Sequence, residues 1–235
     1  MGGEAKALGL QSQFDHELLE LFRDRDSGLT GVIAVHSTAL GPAMGGLRIV
    51  RYPDLESQMV DACRLARAMT LKNAVAGLKL GGGKAALLDD GAWGDHRESR
   101  LIAFSRALNA LDGRYITAED VGTTPADMQL VSEFSPWVAG RPQASGGRGD
   151  PSPATARTVF AAIAAAVEIW LRKPDLGGVR VAVQGVGAVG SRLTAMLVEH
   201  GARVTIADVD EERARAVASD TGATVAAPEG AAAVT

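Results

Sequence analysis

Apolar positions change their period along this chain. From Leu55 to Met69 they fall at Met59, Cys63, Ala66 and Met69, with Leu65 beside them and charged residues between. That spacing predicts an amphipathic helix. Phe14 to Phe22 (FDHELLELF) and Glu98 to Leu111 read the same way, the second closed by Gly113. Thr30 to His36 (TGVIAVH), Ala85 to Leu88 and Arg114 to Ala118 (RYITA) are short β-rich runs and predict strands. Thr124 to Phe134 opens on Thr-Pro, with Asp127 three residues on, an approximate capping arrangement for a further helix.

The pattern breaks at Ala139 to Pro153 (AGRPQASGGRGDPSP), which holds four glycines and three prolines. Such a stretch reads as a hinge, and the domain boundary is placed between residues 145 and 146. Beyond it an alanine-rich helix, Ala154 to Arg172, leads into alternating strands and helices: Val179–Gln184, Ala188–His200, Arg203–Ala207, Glu211–Thr221 and a strand starting in Ala223–Ala226. Strands alternating with helices build a parallel sheet. The expected fold class is α/β, with an N-terminal α/β domain over residues 1–145 and a second domain over residues 146–235.

Bulk properties mainly exclude. Hydrophobic residues make up 46% of the 235 residues, charged residues 22%, and the net charge is −4. Neither half is basic, so nothing argues for a nucleic-acid partner. Cys63 is the only cysteine. No internal disulfide can form, which fits a reducing, cytoplasmic setting. The N-terminal MGGEAKALGL lacks the apolar core and cleavage site of a signal peptide. Thr158 to Leu171 is short for a membrane span and contains Glu168, so a buried helix is expected and no membrane partner. His16, His36, His96 and His200 show no metal-ligand spacing, and no metal is expected.

Two segments carry chemistry. Met69 to Lys84 (MTLKNAVAGLKLGGGK) holds Lys72 and Lys84, with Gly81, Gly82 and Gly83 directly before the second. Glycines let a backbone pass close to a small ligand, and paired ammonium groups lower each other's proton affinity. One lysine could then act as a base near neutral pH. The second segment is Gly185-Val186-Gly187-Ala188-Val189-Gly190, which follows a β-rich strand and opens a helix. This is the context a dinucleotide fingerprint requires. Gly185 would make the turn, Gly187 admit a pyrophosphate and Gly190 allow close packing, while the helix N-terminus offers N–H groups to phosphate. Asp208 ends the next strand, where a carboxylate accepts a ribose 2′-hydroxyl and repels a 2′-phosphate. The expected cofactor is therefore NAD, on a Rossmann domain of which the chain holds about the first half.

Gly41-Pro42-Ala43-Met44-Gly45-Gly46, Met69-Thr70-Leu71-Lys72-Asn73-Ala74, Gly81-Gly82-Gly83-Lys84, Thr117-Ala118-Glu119-Asp120-Val121-Gly122-Thr123 and Pro151-Ser152-Pro153-Ala154-Thr155 occur in order before the fingerprint. This set resembles the Glu/Leu/Phe/Val amino-acid dehydrogenases, closest to the leucine and valine branch. The resemblance implies NAD-dependent oxidative deamination of an apolar, branched-chain L-amino acid to a 2-oxo acid and ammonia, by a homo-oligomer. It assigns Lys84 as the base, depressed by Lys72 and partial burial, and Asp120 as partner of the substrate amine. Lys72 would hold the substrate carboxylate, and Gly45 and Gly46 would pack on the substrate. Met44 and Ala118 would line the side-chain pocket, and Thr155 would contact the nicotinamide end. Neither Met44 nor Ala118 is charged, which disfavours glutamate.

Plainer readings stand beside these. A lysine is usually a solvated charge, Asp120 could cap a helix near Thr123–Thr124, and Gly41-Pro42 could be only a turn. Asp127 and Asp150 are read as structural. The sequence ends one helix past the fingerprint's second strand, where family members continue. It reads either as part of a longer dehydrogenase or as a shortened, non-catalytic relative that binds or oligomerises.

Overall fold

A computed structural model describes residues 9, 12–13, 15–147 and 149–227. Apart from residue 9, the Met1–Leu10 segment lies outside them, as do Phe14 and Ala231–Ala233. The structure divides into two compact units, Met1–Asp150 and Pro151–Thr235.

The first unit is built on a five-stranded mixed sheet. Its strands are β1 (Leu18–Arg23), β2 (Thr30–Ser37), β3 (Ala43–Val50), β4 (Gly81–Leu88) and β5 (Tyr115–Glu119), in spatial order β1-β2-β4-β3-β5. β2 is antiparallel to β1 and β4, whereas β3 runs parallel to β4 and β5. Three helices flank the sheet: α1 (Leu55–Val75), α2 (Trp93–Ala110) and α3 (Pro125–Phe134). One face, with Leu47, Ile49, Leu87 and Tyr115, packs against Leu101, Phe104 and Leu108 of α2 and Met128 and Val131 of α3. The other face, with Leu19, Val32, Ala34 and Ala86, is covered by Met59, Ala62, Cys63 and Ala66 of α1. Each Leu, Ile or Phe fully withdrawn from water on these faces contributes about 1.5–3 kcal/mol.

Two elements differ from the sequence expectation. Leu18–Arg23, expected as helix, is a strand. Its apolar residues at 18, 19, 21 and 22 satisfy both periods, and both faces find cover: Leu19 and Leu21 join the α1 side, Leu18 and Phe22 the α2 side. β3 was not anticipated, because Gly45 and Gly46 disguise its alternation. Elsewhere the expected elements form, several longer than read. Thr124 caps α3 in a complete capping box with Asp127, and Arg97 forks onto both Asp127 carboxylate oxygens at 2.7 Å.

The second unit holds a parallel sheet in order β6-β7-β8: β6 (Arg180–Gln184), β7 (Arg203–Ala207) and β8 (Thr224–Val225). Its helices are α4 (Ser152–Leu171), α5 (Ala188–Glu199) and α6 (Glu211–Thr221). The order is that of the first half of a doubly wound fold. Val183, Val186, Leu193, Leu197, Val204 and Ile206 form its core. α4 is not the buried helix expected: Ala156 and Val167 reach the core, but Ile169, Trp170 and Leu171 are exposed. One apolar stripe suffices to dock a helix, and in α4 apolar residues run all the way round.

Candidate functional site

The first cluster lies on the α1 face of the sheet. In β3 alternate residues share a face, and Met44, Gly46, Arg48 and Val50 are the set that is not fully buried. Across the β3–β5 ladder, Gly46 pairs with Ala118. Lys84, on β4, is 4% exposed, and its Nζ donates to Oδ2 of Asp120, just past the end of β5. The same oxygen accepts from Arg48 Nε at 3.0 Å. Arg48 Nη1 donates to Asp61 Oδ2 on α1 at 3.1 Å, and that oxygen also accepts from the Tyr52 hydroxyl at 2.8 Å. Oδ1 of Asp120 accepts no hydrogen bond among the described residues. The loop behind Asp120 is held by Thr123, whose hydroxyl donates to Leu47 O and accepts from the Asp120 N–H.

Gly46 makes this contact possible. A Cβ there would stand 2.6 Å from Asp120 Cβ and 3.0 Å from Lys84 Nζ. The Gly81–Gly83 run plays a different part from the expected ligand approach. A Cβ on Gly82 would strike the Thr70 N of α1 at 2.1 Å, and one on Gly83 would strike the Tyr115 ring at 2.6 Å. These glycines let β4 sit tight between α1 and the Tyr115 ring, and so fix where Lys84 emerges. Tyr115 in turn donates to the carbonyls of Gly45 and Gly46, at 3.0 and 3.2 Å.

Burial removes the Lys84 ammonium from water and pulls its proton affinity below that of an ordinary lysine. Asp120 opposes this and the like charge of Arg48 adds to it, the net direction being downward. Burial pushes Asp120 up, but Lys84 and Arg48 outweigh it and hold the carboxyl below its usual range. The second cation was expected to be Lys72. It is Arg48: Lys72 stands exposed in the last turn of α1, outside the Lys84–Asp120–Arg48 contacts. Arg48, Asp61 and Tyr52 were not singled out in the sequence. The one usable signal for Arg48 was its place two residues beyond Gly46.

The second cluster is the fingerprint loop. Gly185 takes a left-handed φ of 88°, and its N–H donates to Ala207 O at 2.7 Å. A Cβ on Gly190 would lie 1.9 Å from Gly185 O, so the third glycine lets α5 pack on the loop. A Cβ on Gly187 would meet nothing within 4 Å, and no side chain caps α5. The open space at Gly187 and the N-terminus of α5, which no side chain caps among the described residues, fit a dinucleotide pyrophosphate. Val189, in the first turn, packs against the second core. Asp208 is turned onto the loop: Oδ2 accepts from Val186 N–H at 2.7 Å, and Oδ1 from Arg213 Nη2 at 2.7 Å. Arg213 and these backbone donors hold its carboxyl far below the usual range. A ribose hydroxyl would join this set rather than meet a bare carboxylate. Thr155 is exposed on the first turn of α4, its hydroxyl donating to Pro151 O at 3.0 Å.

The chain is similar to known amino-acid dehydrogenases. Leucine dehydrogenase of Bacillus subtilis is 42% identical over 92% of this chain and 59% of its own length. Valine dehydrogenase of Streptomyces virginiae is 48% identical over 85% of the chain and 56% of its own. The crystal structure of L-tryptophan dehydrogenase from Nostoc punctiforme superposes with a TM-score of 0.67 at 36% identity, covering 94% of this chain and 62% of that one. The chain thus spans less than two thirds of each. Residues 18–135, from β1 to the end of the unit's last helix, match the family described as Glu/Leu/Phe/Val dehydrogenase, dimerisation domain. The family match over half of the chain makes it a member of the Glu/Leu/Phe/Val dehydrogenase family.

Proposed function

We propose that this chain serves the NAD-dependent oxidative deamination of an apolar, branched-chain L-amino acid, with reductive amination as the reverse. Residues 1–145 would bind substrate, handle protons and form the homo-oligomer, and residues 146–235 would bind NAD. The observation that carries this reading is the buried Lys84 ammonium against Asp120, on a sheet face that also bears Met44, Gly46 and Ala118.

The chemistry sets distinct demands on these residues. Hydride can leave Cα only from a neutral amine, since an ammonium opposes the positive charge developing there. Asp120 Oδ1, open for a hydrogen bond, would hold the substrate nitrogen and pass on its proton. NAD, when bound, would supply the hydride acceptor. Water must then add to the iminium carbon while losing a proton, and neutral Lys84 would take that proton as general base. The resulting ammonium at Lys84 is stabilised by Asp120 beside it. Return of a proton to the carbinolamine nitrogen lets ammonia leave as the carbonyl forms. Lys72, exposed near the end of α1, would hold the substrate carboxylate as a point charge. Gly187 would admit the pyrophosphate at α5, which Gly190 lets pack on the loop, with Asp208 toward the adenosine ribose and Thr155 toward the nicotinamide end.

Met44 and Ala118 bring no charge to the side-chain pocket, which suits leucine, valine and isoleucine over glutamate. A methylene in such a pocket is worth roughly 1–3 kcal/mol, so the profile among aliphatic substrates is broad. The names of the leucine and valine dehydrogenases agree with this class. The test is NADH formation by this chain from L-leucine, L-valine, L-isoleucine, L-phenylalanine and L-glutamate. The same assay is run on a chain continued through the rest of the Rossmann domain, and turnover of the branched-chain members by one or both is expected. Preferential turnover of glutamate would contradict the pocket assignment, and no turnover by either chain would favour a non-catalytic binding role.

A further inference from the structure

We infer that Arg48, anchored by Asp61 and Tyr52, is a positioning residue that sets the protonation of the Lys84–Asp120 pair. The inference rests on the reading of Lys84 as a base, and it concerns a residue to which that reading gives no contact with substrate. Its observations are geometric. Arg48 Nε and Lys84 Nζ share one oxygen, Oδ2 of Asp120, so the carboxylate bridges two cations and its other oxygen stays open. Arg48 is fixed from behind, because its Nη1 donates to Asp61 at 3.1 Å and Tyr52 donates to the same Asp61 oxygen at 2.8 Å. The fork is therefore held on two carboxylates from two elements, α1 and the end of β5.

This has a chemical consequence. An Asp120 facing Lys84 alone would form a simple pair, in which the carboxylate favours the ammonium and opposes its role as base. Arg48 draws on the same oxygen and places a fixed like charge near Nζ. Both effects ease loss of the Lys84 proton. The charged and titratable groups facing Lys84 are Asp120 past β5, Arg48 on β3 and Asp61 on α1, with Tyr52 behind Asp61. Asp61 favours the ammonium, so its pairing with Arg48 also limits that influence. An arginine suits the task because it stays charged at any pH at which the enzyme could work, and its planar fork reaches two carboxylates at once.

The test is the pH dependence of Lys84 acylation by acetic anhydride, read site by site by mass spectrometry, in the wild-type chain, Arg48→Met and Arg48→Lys. Labelling needs no turnover. It therefore reads the inference even if Lys84 proves not to be a base, in which case only the accompanying kcat/KM profile would fail to follow. Arg48→Met is expected to move the Lys84 labelling midpoint upward by on the order of one pH unit, and the acid limb of kcat/KM with it. Arg48→Lys keeps a charge but cannot span both carboxylates, so a smaller shift in the same direction is expected. It serves as the test should Arg48→Met fail to fold. A midpoint that stays in place while stability or kcat/KM falls would make Arg48 merely structural and overturn the inference.

Discussion

The two clusters are built by opposite means. In the first unit the site is made of side chains: the ammonium of a buried lysine, a carboxylate and a guanidinium, brought together from β3, β4 and the loop after β5. In the second it is made mostly of backbone, with a glycine loop, the open N-terminus of α5 and one carboxylate folded back on the loop. The difference follows from the work proposed for each. A proton is moved by a group whose affinity has been tuned, and burial beside fixed charge is how a lysine is tuned. A pyrophosphate is held by N–H groups that never titrate, and glycine keeps the approach clear.

Perturbing each cluster should therefore fail in a different way. Among changes that leave the reacting groups themselves in place, the largest effect is expected from Gly46→Ala in the first unit. Its Cβ would stand 2.6 Å from Asp120 Cβ and 3.0 Å from Lys84 Nζ. Displacing either group by an ångström is worth about 100-fold in rate, so kcat for leucine should fall on that scale while NADH binding, followed by fluorescence titration, stays unchanged. An unchanged kcat would mean that the Lys84–Asp120 geometry does not limit the reaction.

Gly190→Ala should give the complementary result. Its Cβ would lie 1.9 Å from Gly185 O, and such overpacking costs about 1–3 kcal/mol. Loss of NADH affinity is expected, with the pH-dependent labelling of Lys84 untouched. If NADH binds this variant as well as wild type, the loop is not the cofactor site.

A third variant separates structure from chemistry in the first unit. Asp127→Asn leaves the Thr124 N-cap but replaces the carboxylate that completes the capping box and takes the fork from Arg97, and losing such a charge-assisted hydrogen bond costs on the order of 1 kcal/mol. Burial pushes the Asp127 carboxyl up, but Arg97 and Thr124 outweigh it and hold the group below its usual value. A depressed folded value stabilises above the unfolded value, near 3.9, and that contribution fades as pH falls through the folded one. The variant should thus melt below wild type at neutral pH and approach it in acid. A melting difference that persists unchanged into acid would assign the loss to packing instead.

The smallest effect is expected at Arg213, which is exposed and pairs with Asp208. Arg213→Ala removes the countercharge, so Asp208 should repel a 2′-phosphate more strongly. The ratio of NADPH to NADH dissociation constants should rise. A falling ratio would mean that Asp208 does not face the 2′ position.

The same contrast explains what could be read in advance. The fingerprint is local: Gly185, Gly187, Gly190 and the strand-ending Asp208 lie within one strand–helix–strand passage, and the structure builds that passage as read. The proton site is not local. Lys84 and Asp120 were legible only through their glycine-framed motifs, whereas Arg48 meets Asp120 across 72 positions of sequence. No periodicity encodes that contact. It arises because β3, itself hidden by Gly45 and Gly46, is inserted between β4 and β5. The expectation of Lys72 as the second cation failed for the same reason. Nearness in sequence to Lys84 suggested a pair, but the turn between α1 and β4 leaves Lys72 exposed and brings Arg48 in from the neighbouring strand. β1 was misread because three leucines and a phenylalanine fit either period until a sheet supplied cover for both faces.

The measurement that bears most directly on the account is the rate of NADH formation from L-leucine by Lys84→Ala beside wild type, each followed across pH. Asp120 keeps Arg48 as partner in the variant, so circular dichroism should show the fold retained. The account predicts a wild-type kcat/KM that rises with pH through a value below the roughly 10.4 of an ordinary lysine, because the ammonium form cannot accept a proton. It predicts a loss of about 10²- to 10⁴-fold in the variant, with that limb gone. Turnover that survives in folded Lys84→Ala with the same pH profile would contradict it.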